Sequence, residues 1–142
     1  MREGAARPVP VGAGLGLHPD FIRVARTVVK IVRMDRRDAS GVHRVLLWGG
    51  TSFNFGRKLD RLDAYIDSVD RTAALVEREK IDVLISNHSG YDGAIEKLER
   101  RRVAPPGAPN PFVMGTPAVL RALRVMGECA KAQRDRYLSA PG

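Results

Sequence analysis

Two short apolar runs with a long periodic stretch between them constrain this chain more than any other feature. Val42–Trp48 carries Val45, Leu46, Leu47 and Trp48 almost without interruption, and Ile81–Ser86 reads Ile-Asp-Val-Leu-Ile-Ser. Between them Leu59, Leu62, Ile66, Val69, Ala73 and Val76 recur at three- and four-residue steps, which places them on one side of a helix. Asp60, Arg61, Asp67 and Arg71 fall on or near the opposite side. The two short runs read as strands, so a strand is followed by a helix and by a second strand. An earlier β-branched run, Thr27 to Val32 within Val24–Met34, predicts another strand. It would pair with Val42–Trp48 as an antiparallel hairpin across a charged turn from Asp35 to Gly41. The expected class is α/β, with helices covering one face of a sheet.

The remainder sorts around this unit. Residues 1–22 are rich in Gly, Ala and Pro and read as a flexible lead-in to one domain over 23–142. Gly49 and Gly50 open a loop that runs to Gly56, where glycine lets the backbone turn tightly or approach a ligand. Asn87 to Gly93 is a polar loop, and a short helix is expected from about Asp92 to Arg102. Pro105, Pro106, Pro109 and Pro111 form a stiff linker. Thr116-Pro117 is a helix start, with Thr116 as N-cap and Pro117 at the first helical position. The last helix carries Val119, Leu120, Leu123, Met126 and Ala130 on one side. There is no internal repeat.

Composition removes several function classes. The net charge of +8 comes from 24 Lys+Arg against 16 Asp+Glu. Such a balance is compatible with a nucleic-acid or anionic-surface partner, but these bases are scattered and interleaved with acids, so they read as an Arg-rich coding bias and a nucleic-acid partner is not expected. Cys129 is the single cysteine, so no internal disulfide forms. Among Met126, Ala130 and Ala132 it reads as a small core or boundary residue. No run reaches the roughly 18 apolar residues of a membrane span, and the start does not read as an export signal. The compartment expected by default is the cytoplasm.

Three histidines carry the possible chemistry. His88 follows an apolar strand directly, where α/β proteins gather ligands and catalytic groups, and an imidazole there can bind zinc or move protons. His18, in Leu17-His18-Pro19, and His43, beside Arg44, stand at no metal-ligand spacing and read as plain surface histidines. Asp92, four residues after His88, reads as a helix cap before it reads as a partner for the imidazole. No Ser/His/Asp order typical of an α/β-hydrolase and no nucleophile elbow is present.

Taken together, Val45-Leu46-Leu47-Trp48-Gly49-Gly50-Thr51-Ser52-Phe53-Asn54-Phe55, the helix, and Ile81-Asp82-Val83-Leu84-Ile85-Ser86-Asn87-His88-Ser89 resemble the C-terminal half of metallo-β-lactamase-fold hydrolases. The branch they resemble most is the third subclass of class B β-lactamases and its relatives. Pro111 to Thr116 and Val125 to Ala130 share the likeness, which runs from about Val42 to Tyr137. It implies the C-terminal half of an αββα sandwich, with about three strands and three helices in this chain. It implies a zinc enzyme acting on β-lactams or related amides, esters and thioesters as small-molecule substrates. His88 matches the family's last zinc-binding histidine, and Ser86, Asn87, Tyr91, Asp92, Gly50 and Thr51 would shape the pocket rim. Gly50 stands where other branches place a bridging Asp or Cys.

The other ligands of the resemblance are missing. H-x-H-x-D-H occurs nowhere, and the region that should hold the next histidine reads Arg23-Val24-Ala25-Arg26-Thr27-Val28. A catalytic zinc needs about three protein ligands, and one match does not supply them. The expectation is a fragment or degenerate member, inactive alone, whose first forty residues fit a truncated or frame-shifted gene. It would self-associate or rely on a missing N-terminal half, because half a sandwich leaves a sheet face bare. Two alternatives stand beside it. One is a non-catalytic module whose basic surface binds a polyanion. The other is zinc shared between chains, with His18 or His43 supplied in trans.

Overall fold

A computed structural model describes residues 31–38, of which 31–37 by backbone alone, and 40–139. Strand β1 (Ile31–Asp38) pairs antiparallel with β2 (Gly41–Trp48), and β2 pairs parallel with β3 (Val83–Ser86). The sheet order is β1-β2-β3. Helix α1 (Leu59–Glu79) links β2 to β3, as a parallel crossover requires. A single turn, α2 (Ser89–Asp92), and α3 (Ala94–Val103) follow, and α4 (Thr116–Ser139) closes the chain. The described part thus holds three strands and four helices, one helix more than the sequence suggests. The extra one is α2, inside the segment read as a loop. Of the expected first strand, residues 24–30 lie outside the described residues, as do the lead-in and His18.

The hairpin is longer and tighter than its charges suggest. Arg36, Arg37 and Asp38 continue β1, with Arg36 opposite His43 and Asp38 opposite Gly41. The two strands are paired up to Asp38 and Gly41, and Gly41 takes a φ of +133°, a conformation that favours glycine. Neither Gly49 nor Gly50 has a positive φ.

The core lies between one sheet face and the helix pair α1–α4. Leu46, Trp48 and Leu84 from alternate positions of β2 and β3 meet Leu62, Tyr65, Val69 and Val76 of α1 and Val119, Leu123 and Ala130 of α4. The buried stripe of α1 also takes in Ser68 and Thr72, which the apolar pattern passes over. Their hydroxyls donate to the carbonyls of Ala64 and Ser68, each at 2.6 Å, so neither carries an unmet polar group inward. Cys129 is exposed, not a core residue.

The proline segment is pinned to the sheet. Val113 bridges Val83, the N–H groups of Met114 and Gly115 donate to the Asp82 carbonyl, and Asn110 Nδ2 donates to Asp38. Helix α4 begins one residue earlier than Thr116-Pro117 implies. The Gly115 carbonyl takes the first helical bonds, from Ala118 and Val119, which makes Gly115 the cap and Thr116 the first helical residue.

Candidate functional site

Strands β2 and β3 end side by side, Trp48 opposite Ser86, and the chain after β3 is held there by a set of short bonds. Asn87 N–H donates to the Trp48 carbonyl, and His88 N–H donates to Ser86 Oγ. Asp92 uses both carboxylate oxygens. Oδ2 accepts from Ser86 N–H at 2.6 Å and Oδ1 from Ala94 N–H at 2.9 Å. Asp92 therefore ties the end of β3 to the start of α3. His88 itself is exposed at the head of α2, 6.2 Å from the Tyr91 ring. Across the strand ends, the Gly50 carbonyl is buried and accepts from Trp48 Nε1 at 3.0 Å and from Tyr65 Oη at 2.5 Å. Burial pushes the Tyr65 phenol up to about 12. Thr51 Oγ1 is buried beside it without a hydrogen-bond partner among the described residues. The residues named from sequence, Ser86, Asn87, His88, Tyr91, Asp92, Gly50 and Thr51, thus lie at or just beyond the ends of two adjacent strands.

A second cluster stands at the opposite end of the sheet. His43 Nδ1 is 2.6 Å from Asp82 Oδ2, and His43 Nε2 is 2.8 Å from Ser40 Oγ and 3.1 Å from Asp38 Oδ1. Asp82 Oδ1 accepts from the Arg44 N–H at 2.9 Å. Asp38 Oδ1 also accepts from the Ser40 N–H and hydroxyl, and its Oδ2 from Asn110. His43 is thus no plain surface histidine. Only 12% of its side chain is exposed, between the Asp38 carboxylate of β1 and the Asp82 carboxylate just before β3. The hydrogen bond to Asp82 raises its pKa above 6.5, burial opposes that shift, and Asp38 adds to it. The Asp38 carboxyl is held well below the usual carboxylate range, chiefly by the Ser40 hydroxyl and then by the Asn110 amide. Sequence reading passed over this cluster. The available signal was a histidine two positions before Val45 together with an aspartate just before Val83, because those two valines pair.

The cluster makes stability depend on pH with two opposite signs. His43 is raised above 6.5, so its contribution is complete below that value and is lost as the pH climbs through the raised one. Asp38 is depressed below 3.8, so its contribution is present above 3.8 and is lost as the pH falls through the lowered one. The melting temperature is expected to peak between about pH 4 and about pH 6.5, and His43→Gln should lose the alkaline decline. Thermal melts followed by circular dichroism at a series of pH values check this, and a wild-type curve flat from about pH 5 to about pH 9 would contradict it.

The architecture is similar to that of subclass B3 metallo-β-lactamases, over part of their length. BJP-1, a subclass B3 metallo-β-lactamase of Bradyrhizobium japonicum, superposes with a TM-score of 0.61 and 22% identity, over 78% of this chain and 41% of the enzyme. The Rm3 metallo-β-lactamase does so with a TM-score of 0.50 and 17% identity, over 74% of this chain and 40% of that one. The chain spans about two fifths of each, consistent with a C-terminal part. At these identities the likeness establishes the fold. No protein-family model and no curated protein sequence matches the chain.

Zinc is the metal that this fold brings to mind, and the described residues do not fit it. No group of three His, Cys, Asp or Glu side chains is placed to hold a metal ion among them. Asp92 is spent on backbone N–H groups, and Asp38 and Asp82 are spent on His43 and its neighbours. No described helix is long and apolar enough to cross a membrane.

Proposed function

We propose that the chain is the C-terminal part of a zinc-dependent hydrolase of the metallo-β-lactamase fold, and that His88 is the one ligand this part contributes. The observation that supports the reading is the exposed imidazole at the end of the β2–β3 pair, in a fold shared with about two fifths of a subclass B3 enzyme. The complete protein would act on a β-lactam or a related amide, ester or thioester. The chain by itself lacks the donors for a catalytic zinc and is inactive in that chemistry.

The other side of the sheet, on which Val45 and Val83 are buried beside the proline segment while Leu47 and Ile85 are only part-buried, points the same way. Val45 and Leu47 of β2 and Val83 and Ile85 of β3 alternate with the residues that face α1 and α4, so they form the other face. A sheet apolar on both faces is one that is covered on both. The isolated chain is expected to self-associate or to take up a complementary half.

Zinc content and nitrocefin hydrolysis of the purified chain test the reading. The expected result is less than one zinc per chain and no turnover above buffer. One tightly held zinc per chain with measurable turnover would overturn it.

A further inference from the structure

Two cavities meet at His43. One is an open cleft of about 670 Å³, lined by Ser40, His43, Arg101 and the Gly107–Asn110 segment. The other is an apolar pocket of about 230 Å³, lined by Val45, Val83, Ile85 and Phe112 on one side and His43, Asp38 and Asn110 on the other. The first has the size of a small-ligand site, and the second suits a short acyl chain.

Between them lies a hydroxyl, an imidazole and a carboxylate in series. Ser40 Oγ is 2.8 Å from His43 Nε2, and His43 Nδ1 is 2.6 Å from Asp82 Oδ2. The Asp82 carboxylate is itself fixed by the Arg44 N–H. A base within reach of a nucleophile, oriented through its other nitrogen by an anchored carboxylate, is the arrangement that activates a serine. Ser40 sits at the exposed tip of the β1–β2 hairpin, where a substrate can reach it. The chain order Ser40, His43, Asp82 matches none of the familiar orders, which is why the sequence alone does not show it.

We propose that Ser40, His43 and Asp82 form a metal-independent acyl-transfer site for small carboxylic esters with short apolar acyl chains. Ser40 Oγ attacks the ester carbonyl, and its proton passes to His43 Nε2. The tetrahedral intermediate collapses, the C–O bond to the alcohol breaks, and His43 returns the proton to the leaving alkoxide. Water, deprotonated by His43, then attacks the acyl-Ser40, and the carboxylic acid leaves with Ser40 restored. Asp82 is a positioning residue that holds the Nδ1 tautomer. Arg101 is the cation of the cleft wall.

Asp38 restrains this site. The single Ser40 hydrogen goes to Asp38 Oδ1 at 2.6 Å, and His43 between two carboxylates favours its protonated form, which is no base. The charged groups around the ring are Asp38 from β1, Asp82 before β3, Arg44 beside it on β2 and Arg101 on the cleft wall. Activity therefore rises with pH through the titration of His43. Asp38→Asn, which weakens the hold on the proton, moves that rise to lower pH.

The test is labelling of the full chain by a fluorophosphonate, with p-nitrophenyl butyrate turnover, in buffer containing EDTA. Peptide mass spectrometry locates the label. Expected is a label on Ser40, absent in Ser40→Ala and at least about tenfold slower in His43→Gln, with circular dichroism showing both variants folded. Asp82→Asn should slow the reaction and change its pH profile, and Asp38→Asn should label several-fold faster near neutral pH. Ser40 labelled no faster than in the heat-unfolded chain, or a folded His43→Gln labelled at the wild-type rate, would overturn the assignment.

Discussion

Replacing Trp48 by alanine is expected to remove about 4 kcal/mol of stability. Trp48 is fully buried at the end of β2, with its ring edge-on to Tyr65 at a centroid distance of 5.9 Å. Its Nε1 donates to the Gly50 carbonyl, which the Tyr65 hydroxyl also reaches. Truncation takes away the largest fully buried side chain, opens a cavity under α1, and strips one of two donors from a buried carbonyl. The whole stability of a domain is only about 5–15 kcal/mol, so this loss is a large share of it. A melting temperature lower by more than about 10 °C is expected for a chain of this length. Trp48→Phe keeps most of the ring packing and should lose less than half as much. Thermal melts of both variants decide it, and a Trp48→Ala chain that melts within about 3 °C of wild type would show that the sheet and α1 are not joined there.

A Gly127→Leu substitution should cost about 3 kcal/mol, while Gly127→Ala should be close to neutral. Gly127 is where α4 crosses α1, and a Cβ built on it falls 3.2 Å from Val69 Cγ1 and 3.8 Å from Val69 Cβ. Alanine in mid-helix gains about 1 kcal/mol of propensity, and Val69 needs to yield only a few tenths of an ångström, so the two effects offset each other. Leucine adds three further carbons into the same contact and forces the helices apart. Chemical denaturation of the pair of variants separates the effects. Equal stabilities for alanine and leucine at this position would mean that the helices do not pack through it.

The long elements were legible because their residues repeat with the period of their structure. Leu62, Val69 and Val76 mark the buried side of α1, and Val45 to Trp48 and Val83 to Ser86 mark the inner strands. What escaped had the wrong chemistry for its place. Arg36 and Arg37 continue β1 through their backbone pairing with His43 and Val42, although charged residues there read as a turn. Ser68 and Thr72 sit in the core because their hydroxyls find the carbonyl four residues back. The His88 loop was legible, since the end of an apolar strand is a place where ligands gather. The His43 cluster was not, because it joins residues 38, 40, 43 and 82, and only the strand register of β2 with its two neighbours brings them together.

The same contrast separates the two imidazoles. His43 is enclosed by carboxylates that already occupy both ring nitrogens, whereas the His88 ring faces solvent beyond two adjacent strand ends. The first ring is oriented by the chain's own carboxylates, and the second is free to serve something that docks onto the chain. That difference supports the proposal that His88 would be a donor to a metal centre completed elsewhere.

The most direct measurement is a zinc titration of the chain followed through the proton and carbon resonances of its histidine rings. The His88 signals alone are expected to shift, in fast exchange and without saturating at one equivalent, and His88→Ala is expected to abolish the response. Uptake that saturates at one zinc per chain while the His88 ring stays unmoved would contradict it.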